Sequence, residues 1–358
     1  MLGKLKSLGT LFVTFGAALG LGLMPVSAAC AVQKSKVGST SVSRAEQVPV
    51  AAKKKPGVSS AARSAGGKSK AEVGKAPVIR EVPVANARRH GNRSPDVKSG
   101  AAIVVEQLGG GALFQKNASA VVPIASITKL MTAMVVLDSL PDLSANISVT
   151  DDDVDYLRGS RSRLQVGATM TREAALLLAL MSSENRAAHA LARHYPGGLH
   201  AFLAAMNAKA RSLGMRDTHF EDPTGLTSDN VSTAHDLAKM ATAAYRYPII
   251  REFSTMPEAS VEVTGQFLEF HNTNPLVKNA GWDVGLSKTG YIQEAGKCLV
   301  MQARVADRPV VIVLLDAAGK LTRVGDANRI KRWMEATYAS LNVRGQQVSF
   351  KSLGANPG

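Results

Sequence analysis

The chain has 358 residues, 45% of them hydrophobic and 20% charged, which allows one large domain or two ordinary ones with a sizeable core. Two cysteines, and no 18-residue apolar run after the first thirty positions, exclude a disulfide-stapled scaffold and a multi-pass membrane protein. The net charge of +15 is unevenly distributed. Residues 31–100 carry 15 Lys and Arg against four Asp and Glu, whereas the later residues carry 26 against 24. The basic charge therefore belongs to a tail.

Residues 1–28 have the layout of a secretory signal peptide. Two lysines precede an apolar stretch over residues 8–24, and small residues at positions 26–28 form a cleavage site. We expect cleavage near Ala28 and an exported, periplasmic protein. A lipoprotein anchor at Cys30 is the weaker alternative, because Ser27 stands where such signals usually carry a leucine-like residue.

Residues 29–99 predict a basic, disordered tether. The segment is rich in Lys, Ala, Ser, Gly, Val and Pro and contains no aromatic residue. It cannot bury enough apolar area to offset an ordering entropy of about 1–2 kcal/mol per residue. A spacer role is favoured over contact with an anionic wall polymer or lipid, because charge runs are usually only solvated. No nucleic-acid partner is expected of this exported tail.

Residues 100–345 predict one domain in which strands, helices, strands and a final helix follow one another, before a short tail over 346–358. The first strands, at 101–107 and 112–116, flank three glycines and indicate a hairpin. Pro123 precedes an apolar helix. Apolar residues at helical spacing then predict helices over 172–181, 186–195, 199–213 and 234–247. Strands return at 284–292, 297–305 and 309–316, and an amphipathic helix follows over about 324–341.

Short connections within each group of strands favour antiparallel pairing. The helical block would then be inserted between two halves of one sheet, whose faces the first and last helices would cover. The expected fold class is α+β, an antiparallel sheet flanked by helices with an inserted all-helical subdomain. The crevice between the two parts is the natural place for a site.

Ser126-Ile127-Thr128-Lys129 is the only S-x-x-K sequence in the chain, and it opens the predicted apolar helix. That helix is apolar on nearly every face and is expected to be buried. Side chains three apart share a helix face, and burial lowers the pKa of a lysine from about 10.4. The helix dipole also favours an anion at Ser126. The pattern indicates a serine nucleophile beside a lysine base, although a serine N-cap followed by a snorkelling lysine would explain the same residues.

Two further motifs supply polar groups for the same chemistry. Among four S-x-N sequences, Ser183-Glu184-Asn185 stands out because it falls between two predicted helices, where side chains two apart can converge. Of two K-[ST]-G sequences, Lys98-Ser99-Gly100 ends the tether and Lys288-Thr289-Gly290 lies inside a predicted strand. Strand alternation places Lys288 and Gly290 on one face, where the lysine can bind a carboxylate and the glycine admits a substrate backbone.

Ser126-x-x-Lys129, Ser183-x-Asn185 and Lys288-Thr289-Gly290, in this order, resemble the three motifs of penicillin-binding proteins and serine β-lactamases. The low-molecular-mass D-alanyl-D-alanine peptidases are more similar still, in particular the endopeptidases of the penicillin-binding-protein-seven type. The resemblance covers about residues 100–340 and is carried by the stretches PIASITKLMTAMVVLD, EDPTGLTSDNVSTAHDLAKM, NTNPLVKN and WDVGLSKTGY. It implies the β-lactamase-like, DD-peptidase-like form of the α+β fold.

The resemblance also implies roles for individual residues. Ser126 would attack a D-alanyl carbonyl while Lys129 accepts its proton, and the resulting acyl-enzyme would be hydrolysed. Ser183 would relay a proton to the leaving amine, with Lys288 adjusting its electrostatics. The implied substrate-binding residues are Asn185 for the peptide, Lys288, Thr289 and Gly290 around the carboxylate end, and the backbone N–H groups of Ser126 and Tyr291 as the oxyanion hole.

By the same resemblance the protein is a penicillin-sensitive endopeptidase that cleaves peptidoglycan cross-links, with β-lactam antibiotics as covalent inhibitors and without cofactor or metal. Class A β-lactamases carry a further glutamate in an E-x-x-L-N context, which is missing here, so fast penicillin turnover is not expected. A carboxypeptidase that trims stem pentapeptides and a non-catalytic wall-binding or penicillin-sensing module remain alternatives. Only about 13 residues follow Gly345, which favours the endopeptidase. Residues 223–226 and 233–236 match the family and are assigned structural roles.

Overall fold

The computed structural model describes residues 94–109 and 111–343, with side chains described up to residue 340. The predicted signal peptide, Cys30, nearly all of the predicted tether and the C-terminal tail lie outside these residues. The described residues all belong to one compact unit. Within them, no helix combines the length and the apolar character that a membrane crossing requires.

The strands and helices alternate in blocks along the chain. The strands are β1 (Ala101–Glu106), β2 (Ala112–Lys116), β3 (Val122–Pro123), β4 (Asn146–Ser148), β5 (Thr169–Thr171), β6 (Val231–Ser232), β7 (Glu258–Val263), β8 (Gln266–His271), β9 (Asp283–Ile292), β10 (Gly296–Val305) and β11 (Arg308–Ala317). The helices are α1 (Lys129–Asp138), α2 (Arg172–Met181), α3 (Asn185–Arg193), α4 (Gly198–Ser212), α5 (Ala234–Ala244), α6 (Pro248–Thr255) and α7 (Thr322–Val343).

The main sheet is antiparallel and has the strand order β2-β1-β11-β10-β9. The first hairpin therefore joins the last three strands through pairing of β1 with β11, in a register that sets Ile103 opposite Val313. All the intervening helices lie in an insertion between the two strand groups. This confirms the α+β class and the predicted insertion.

Alternate residues of each central strand point to opposite faces of the sheet, and both faces are buried. On one face Val104, Ile312 and Leu314 pack with residues of α7. On the other face Ile103, Val313 and Leu315 join the core of the helical part, where α5 contacts β1, β10 and β11. The prediction that the last helix covers one face is thus confirmed.

The prediction that the first helix covers the other face is wrong. Eight of the ten residues of α1 are buried, so this helix requires apolar neighbours on every side. It finds them at the centre of the helical part, where it contacts α2, α3, α4, α5 and α6. An amphipathic helix, α5, takes its place on the sheet.

The segment between α5 and β9 also differs from the sequence prediction. The predicted helix over 234–247 ends at Ala244, and a second helix, α6, starts with Pro248 in its first turn, where a proline fits without losing a hydrogen bond. The hairpin of β7 and β8 was not predicted.

In front of α1, residues Ala125–Thr128 form a 3-10 turn that contacts β9, the edge strand of the sheet. This contact brings the first and third motifs together.

Candidate active site

Ser126 and Lys129 lie on a tighter turn than the sequence predicts. The α-helix begins at Lys129, and Ser126 belongs to the preceding 3-10 turn, which Ala125 enters with a φ of 49°. Side chains three apart are eclipsed in a 3-10 helix, so they still share a face. The Nζ atom of Lys129 lies 2.9 Å from the Oγ atom of Ser126. The predicted convergence of these two groups is therefore present.

The ammonium group of Lys129 is enclosed by three oxygen atoms. Lys129 is fully buried, and its Nζ donates to Asn185 Oδ1 at 2.7 Å and to the Thr224 carbonyl at 2.8 Å. Burial lowers the pKa of Lys129 from 10.5 to about 7, against the opposing effect of the negative charges of Asp222 and Glu184. A neutral amine has two N–H bonds, and these two acceptors take both. Its lone pair is then left for the Ser126 hydroxyl, as a general base requires.

Ser183 and Lys288 form a second pair. Ser183 lies between α2 and α3 with a φ of 64°, and the Nζ of Lys288 donates to its Oγ at 2.8 Å and to the Thr289 carbonyl at 3.0 Å. Burial and the positive charges of Lys129 and Arg323 hold the pKa of Lys288 well below its usual value. The pair is therefore suited to passing a proton as well as to electrostatic stabilisation.

Asn185 links the first motif to the second. It is the first residue of α3, and its Oδ1 accepts from Lys129. Its Nδ2 donates to Ser160 Oγ at 3.0 Å. Both polar atoms of the amide are thus occupied within the site.

The third motif runs along β9 against the turn that carries Ser126. Gly290 lies so close to this turn that a Cβ atom there would be 3.0 Å from the Ile124 carbonyl oxygen and 3.1 Å from Ser126 N. Glycine at this position thus allows the strand to approach the nucleophile. The Thr289 hydroxyl is 2.6 Å from that of Thr273, and Tyr291 is exposed beyond it. The structure therefore brings all eight predicted site residues to one region.

The other K-[ST]-G sequence does not contribute to the site. The Ser99 hydroxyl donates to Asp326 Oδ2 at 2.6 Å, and the backbone N–H groups of Lys98 and Ser99 donate to the same carboxylate at 2.8 Å. These bonds fasten the start of the domain to α7. Cys298 is a buried residue of β10, and burial raises the pKa of its thiol to about 11.

A wall of the site was missed by sequence reasoning. The loop over residues 222–227 supplies the Thr224 carbonyl to Lys129, and Gly225 lies against the backbone of Ala125. The carboxylate of Asp222 shapes this loop by accepting from the backbone N–H groups of Thr224, at 2.5 Å, and of Thr227, at 2.8 Å. We assigned the loop a structural role alone, yet it touches the base directly. The next matched stretch is structural, since Thr233 caps α5 by accepting from Asp236 N.

Ser160 is the other residue that sequence reasoning missed. It lies in a loop before α2, and no motif singles it out.

Across residues 94–109 and 111–343, no group of three or more His, Cys, Asp or Glu side chains is arranged to hold a metal ion.

Comparisons with known proteins agree with this geometry. Residues 88–319 match the model of peptidase family S11, described as D-alanyl-D-alanine carboxypeptidase. The D-alanyl-D-alanine endopeptidase of Pseudomonas aeruginosa is 49% identical over 242 residues, covering 67% of this chain and 78% of that protein. The D-alanyl-D-alanine endopeptidase of Escherichia coli is 46% identical over 263 residues, covering 73% and 84%.

Solved structures show the same similarity. The DD-transpeptidase of Streptomyces K15 superposes with a TM-score of 0.63 and 29% identity, over 68% of this chain and 99% of that one. The D-alanyl-D-alanine carboxypeptidase of Mycobacterium tuberculosis gives a TM-score of 0.62 and 28% identity, over 69% and 94%. The DD-peptidase-like fold predicted from the sequence is thereby confirmed.

Proposed function

This chain belongs to peptidase family S11, the D-alanyl-D-alanine carboxypeptidases, and from that membership we propose that Ser126 is the nucleophile of a penicillin-sensitive D-alanyl-D-alanine endopeptidase. The protein is a serine-type D-Ala-D-Ala peptidase, and its substrate is the peptide part of peptidoglycan. The observation that carries the assignment is the position of Lys129 Nζ, 2.9 Å from Ser126 Oγ and bonded on its other sides to acceptors. A snorkelling lysine, the alternative left open by the sequence, would not be fully buried.

The first half of the reaction forms an ester. The neutral amine of Lys129 takes the Ser126 proton as Oγ bonds to the carbonyl carbon of a D-alanyl residue. The oxygen of that carbonyl acquires a negative charge, which the N–H groups of Ser126 and Tyr291 stabilise. The C–N bond then breaks, and the leaving amine takes a proton through Ser183, which Lys288 supports.

The edge position of β9 supports the role of Tyr291. Residues two apart in a strand direct their backbone groups to the same edge. The Thr289 carbonyl accepts from the buried Lys288 amine at the site, so the N–H of Tyr291 is directed to the same side. An edge strand leaves such groups available to a ligand.

The second half of the reaction regenerates the enzyme. Water attacks the ester carbonyl, a base in the site takes its proton, and Ser126 Oγ recovers a hydrogen as the C–O bond breaks. A β-lactam follows the first half in the same way and remains bound to Ser126. The resemblance to DD-peptidases supports both the substrate class and this inhibition.

Endopeptidase activity is proposed over carboxypeptidase activity because the two relatives named endopeptidases are 49% and 46% identical to this chain. A relative named D-alanyl-D-alanine carboxypeptidase, from Bacillus subtilis, is 31% identical. Purified protein offered cross-linked muropeptide dimers and monomeric pentapeptides should convert the dimers to monomers. Dimers left intact while pentapeptides are trimmed would establish the carboxypeptidase instead.

A fluorescent penicillin tests the nucleophile itself. The full-length protein should acquire one covalent label, and Ser126→Ala should acquire none while it unfolds at a similar temperature. A label that survives in Ser126→Ala would contradict the assignment. No label on the unchanged protein would favour the non-catalytic module.

Export to the cell envelope is consistent with relatives that act on the bacterial wall. We propose cleavage after Ala28 and a spacer role for the basic residues before the domain. N-terminal sequencing of the protein recovered from periplasm tests the cleavage. Deletion of residues 31–93 should leave muropeptide digestion intact, and loss of digestion would contradict the spacer role.

A further inference from the structure

A loop outside the three motifs, residues 155–160, holds the amide of Asn185. We propose that Ser160 is a positioning residue for the acylation step, because with Asp155 it fixes which end of the Asn185 amide faces the lysine base. This inference rests on the proposed function, since it concerns the same base. It adds the side chains of Ser160 and Asp155, which lie outside the S-x-x-K, S-x-N and K-T-G sequences, to the residues that support the reaction.

The side-chain amide of Asn185 can turn by 180°, which exchanges its oxygen and its nitrogen. In the observed orientation Oδ1 accepts from Lys129 Nζ at 2.7 Å and Nδ2 donates to Ser160 Oγ at 3.0 Å. A serine hydroxyl both donates and accepts, so Ser160 alone would tolerate either end of the amide. A further group must fix the direction of its hydrogen.

The carboxylate of Asp155 is that group. It accepts from the backbone N–H of Ser160 at 2.9 Å, and the Ser160 hydroxyl is close enough to the same carboxylate to help lower the pKa of Asp155. A carboxylate only accepts hydrogen bonds, so Ser160 directs its hydrogen to Asp155 and presents lone pairs to Asn185. The amide must then offer Nδ2 to Ser160, and Oδ1 is left facing Lys129. The direction of each hydrogen bond follows from the one before it.

The loop is well suited to hold Asp155 in the ionised form. Burial opposes ionisation, but the hydrogen bonds from Ser160, and those from the backbone N–H groups of Leu157 and Arg158 at 3.0 and 2.9 Å, lower the pKa of Asp155 overall. Arg158 fastens the loop from outside, since its guanidinium lies 2.9 Å from Glu294 and donates to the Leu226 carbonyl. The carboxylate and its hydroxyl partner thus share a fixed frame.

The orientation matters because it decides where the lone pair of Lys129 points. With Oδ1 facing the amine, both N–H bonds of the neutral lysine are used and the lone pair faces Ser126. With Nδ2 facing the amine, an N–H of Asn185 would occupy that lone pair and would also disfavour the ammonium form. The base would be weaker and its pKa lower still. The other charges that act on Lys129 or lie near it, those of Asp222, Glu184 and Lys288, are the same in both orientations.

The test is the rate constant for acylation of the full-length protein by a fluorescent penicillin, measured from pH 5 to pH 9. Ser160→Ala should acylate about tenfold more slowly, the size expected for one well-placed hydrogen bond, and the midpoint of its pH profile should move to lower pH. Ser160→Thr retains the hydroxyl and should restore both the rate and the midpoint. Arg161→Gln changes an exposed residue directly after this loop and should leave both unchanged.

A second variant approaches the same bond from its other end. Asp155→Asn can donate to Ser160, which frees the serine hydrogen for Asn185, so its midpoint should move in the same direction as that of Ser160→Ala. Thermal unfolding of each variant reports whether the fold is retained. Unchanged acylation in Ser160→Ala, or slower acylation with an unmoved midpoint and no rescue by threonine, would overturn the inference. Absence of any label on the unchanged protein would instead remove the proposed function.

Discussion

Gly225 separates two backbones that could not otherwise lie so close. Its φ of 82° belongs to the left-handed region, and a Cβ atom there would be 1.9 Å from the Ala125 carbonyl oxygen and 2.9 Å from Ser126 N. Real Cβ atoms do not come within 3.0 Å of a neighbour, so in Gly225→Ala one backbone must move by about 1 Å. The obstacle is a carbonyl one residue from the nucleophile, and no side chain can rotate away to relieve it.

A displacement of about 1 Å at a reacting atom typically costs about 100-fold in rate. Gly225→Ala should therefore acylate about 100-fold more slowly with a fluorescent penicillin. The left-handed backbone of an L-residue adds about 1–2 kcal/mol of destabilisation, which thermal unfolding measures separately. The loss of rate should persist at temperatures where the variant is fully folded.

Gly214 provides the matched control. It has a φ of 68°, and a Cβ atom there would meet nothing within 4 Å. Gly214→Ala therefore carries the same backbone strain without the contact, and it should be destabilised by about 1–2 kcal/mol while acylating normally. If Gly225→Ala acylated within about threefold of Gly214→Ala, the loop over residues 222–227 would not be a wall of the site.

Two further predictions concern titrating groups. Because Lys129 must be neutral to act as a base and its pKa is about 7, the acylation rate of the unchanged protein should rise with pH through a midpoint near 7, and a profile flat from pH 5 to pH 9 would contradict the role of Lys129. Asp153 is buried against His189 at 2.7 Å and Arg193 at 2.9 Å, and despite the opposing effect of burial these partners lower its pKa to about 2. Its stabilisation, about 2 kcal/mol, is therefore present above the unfolded pKa of about 3.9 and lost as the pH falls towards 2. Urea denaturation should show Asp153→Asn less stable by this amount at pH 7 and nearly equal to the unchanged protein near pH 2, and a difference that does not depend on pH would refute the assignment.

Elements with clear end signals could be predicted from the sequence. The helix α2 matches its predicted range because Thr171 caps it, accepting from Ala174 N, and Glu173 lies in its first turn. The strands β9, β10 and β11 were located to within a residue or two, since β10 and β11 contain long apolar runs and short turns join all three. Their order in the sheet follows from those short connections.

Other elements depend on contacts that a sequence pattern does not contain. The helical pattern continues past Ala244 and so does not mark the end of α5, and Pro248 permits a new helix there without requiring one. The hairpin of β7 and β8 exposes many of its residues. β8 alternates poorly, but β7 alternates polar and apolar residues over Glu258–Val263, a strand signal that the sequence prediction overlooked. The position of α1 could not be predicted, because its uniform burial does not say which neighbours surround it.

The site shows the same division. Ser126 and Lys129 are related by spacing within one turn, so their convergence could be predicted. The Thr224 carbonyl could not, because any residue type provides a carbonyl and the bond spans 95 positions. Ser160 was missed for a similar reason: it acts through Asn185, 25 positions away, and its neighbours in the sequence carry no distinguishing pattern.

Ala101 and Leu315 pair with each other between β1 and β11, although they lie near opposite ends of the amino-acid sequence of the catalytic domain. A ribosome must therefore finish β11 before β1 has a neighbour on that side, and contacts so distant along the chain form slowly. Assembly of this domain is consequently a late event in the lifetime of a nascent polypeptide. A stop codon between residues 292 and 308 should abolish penicillin labelling even though it spares every motif residue.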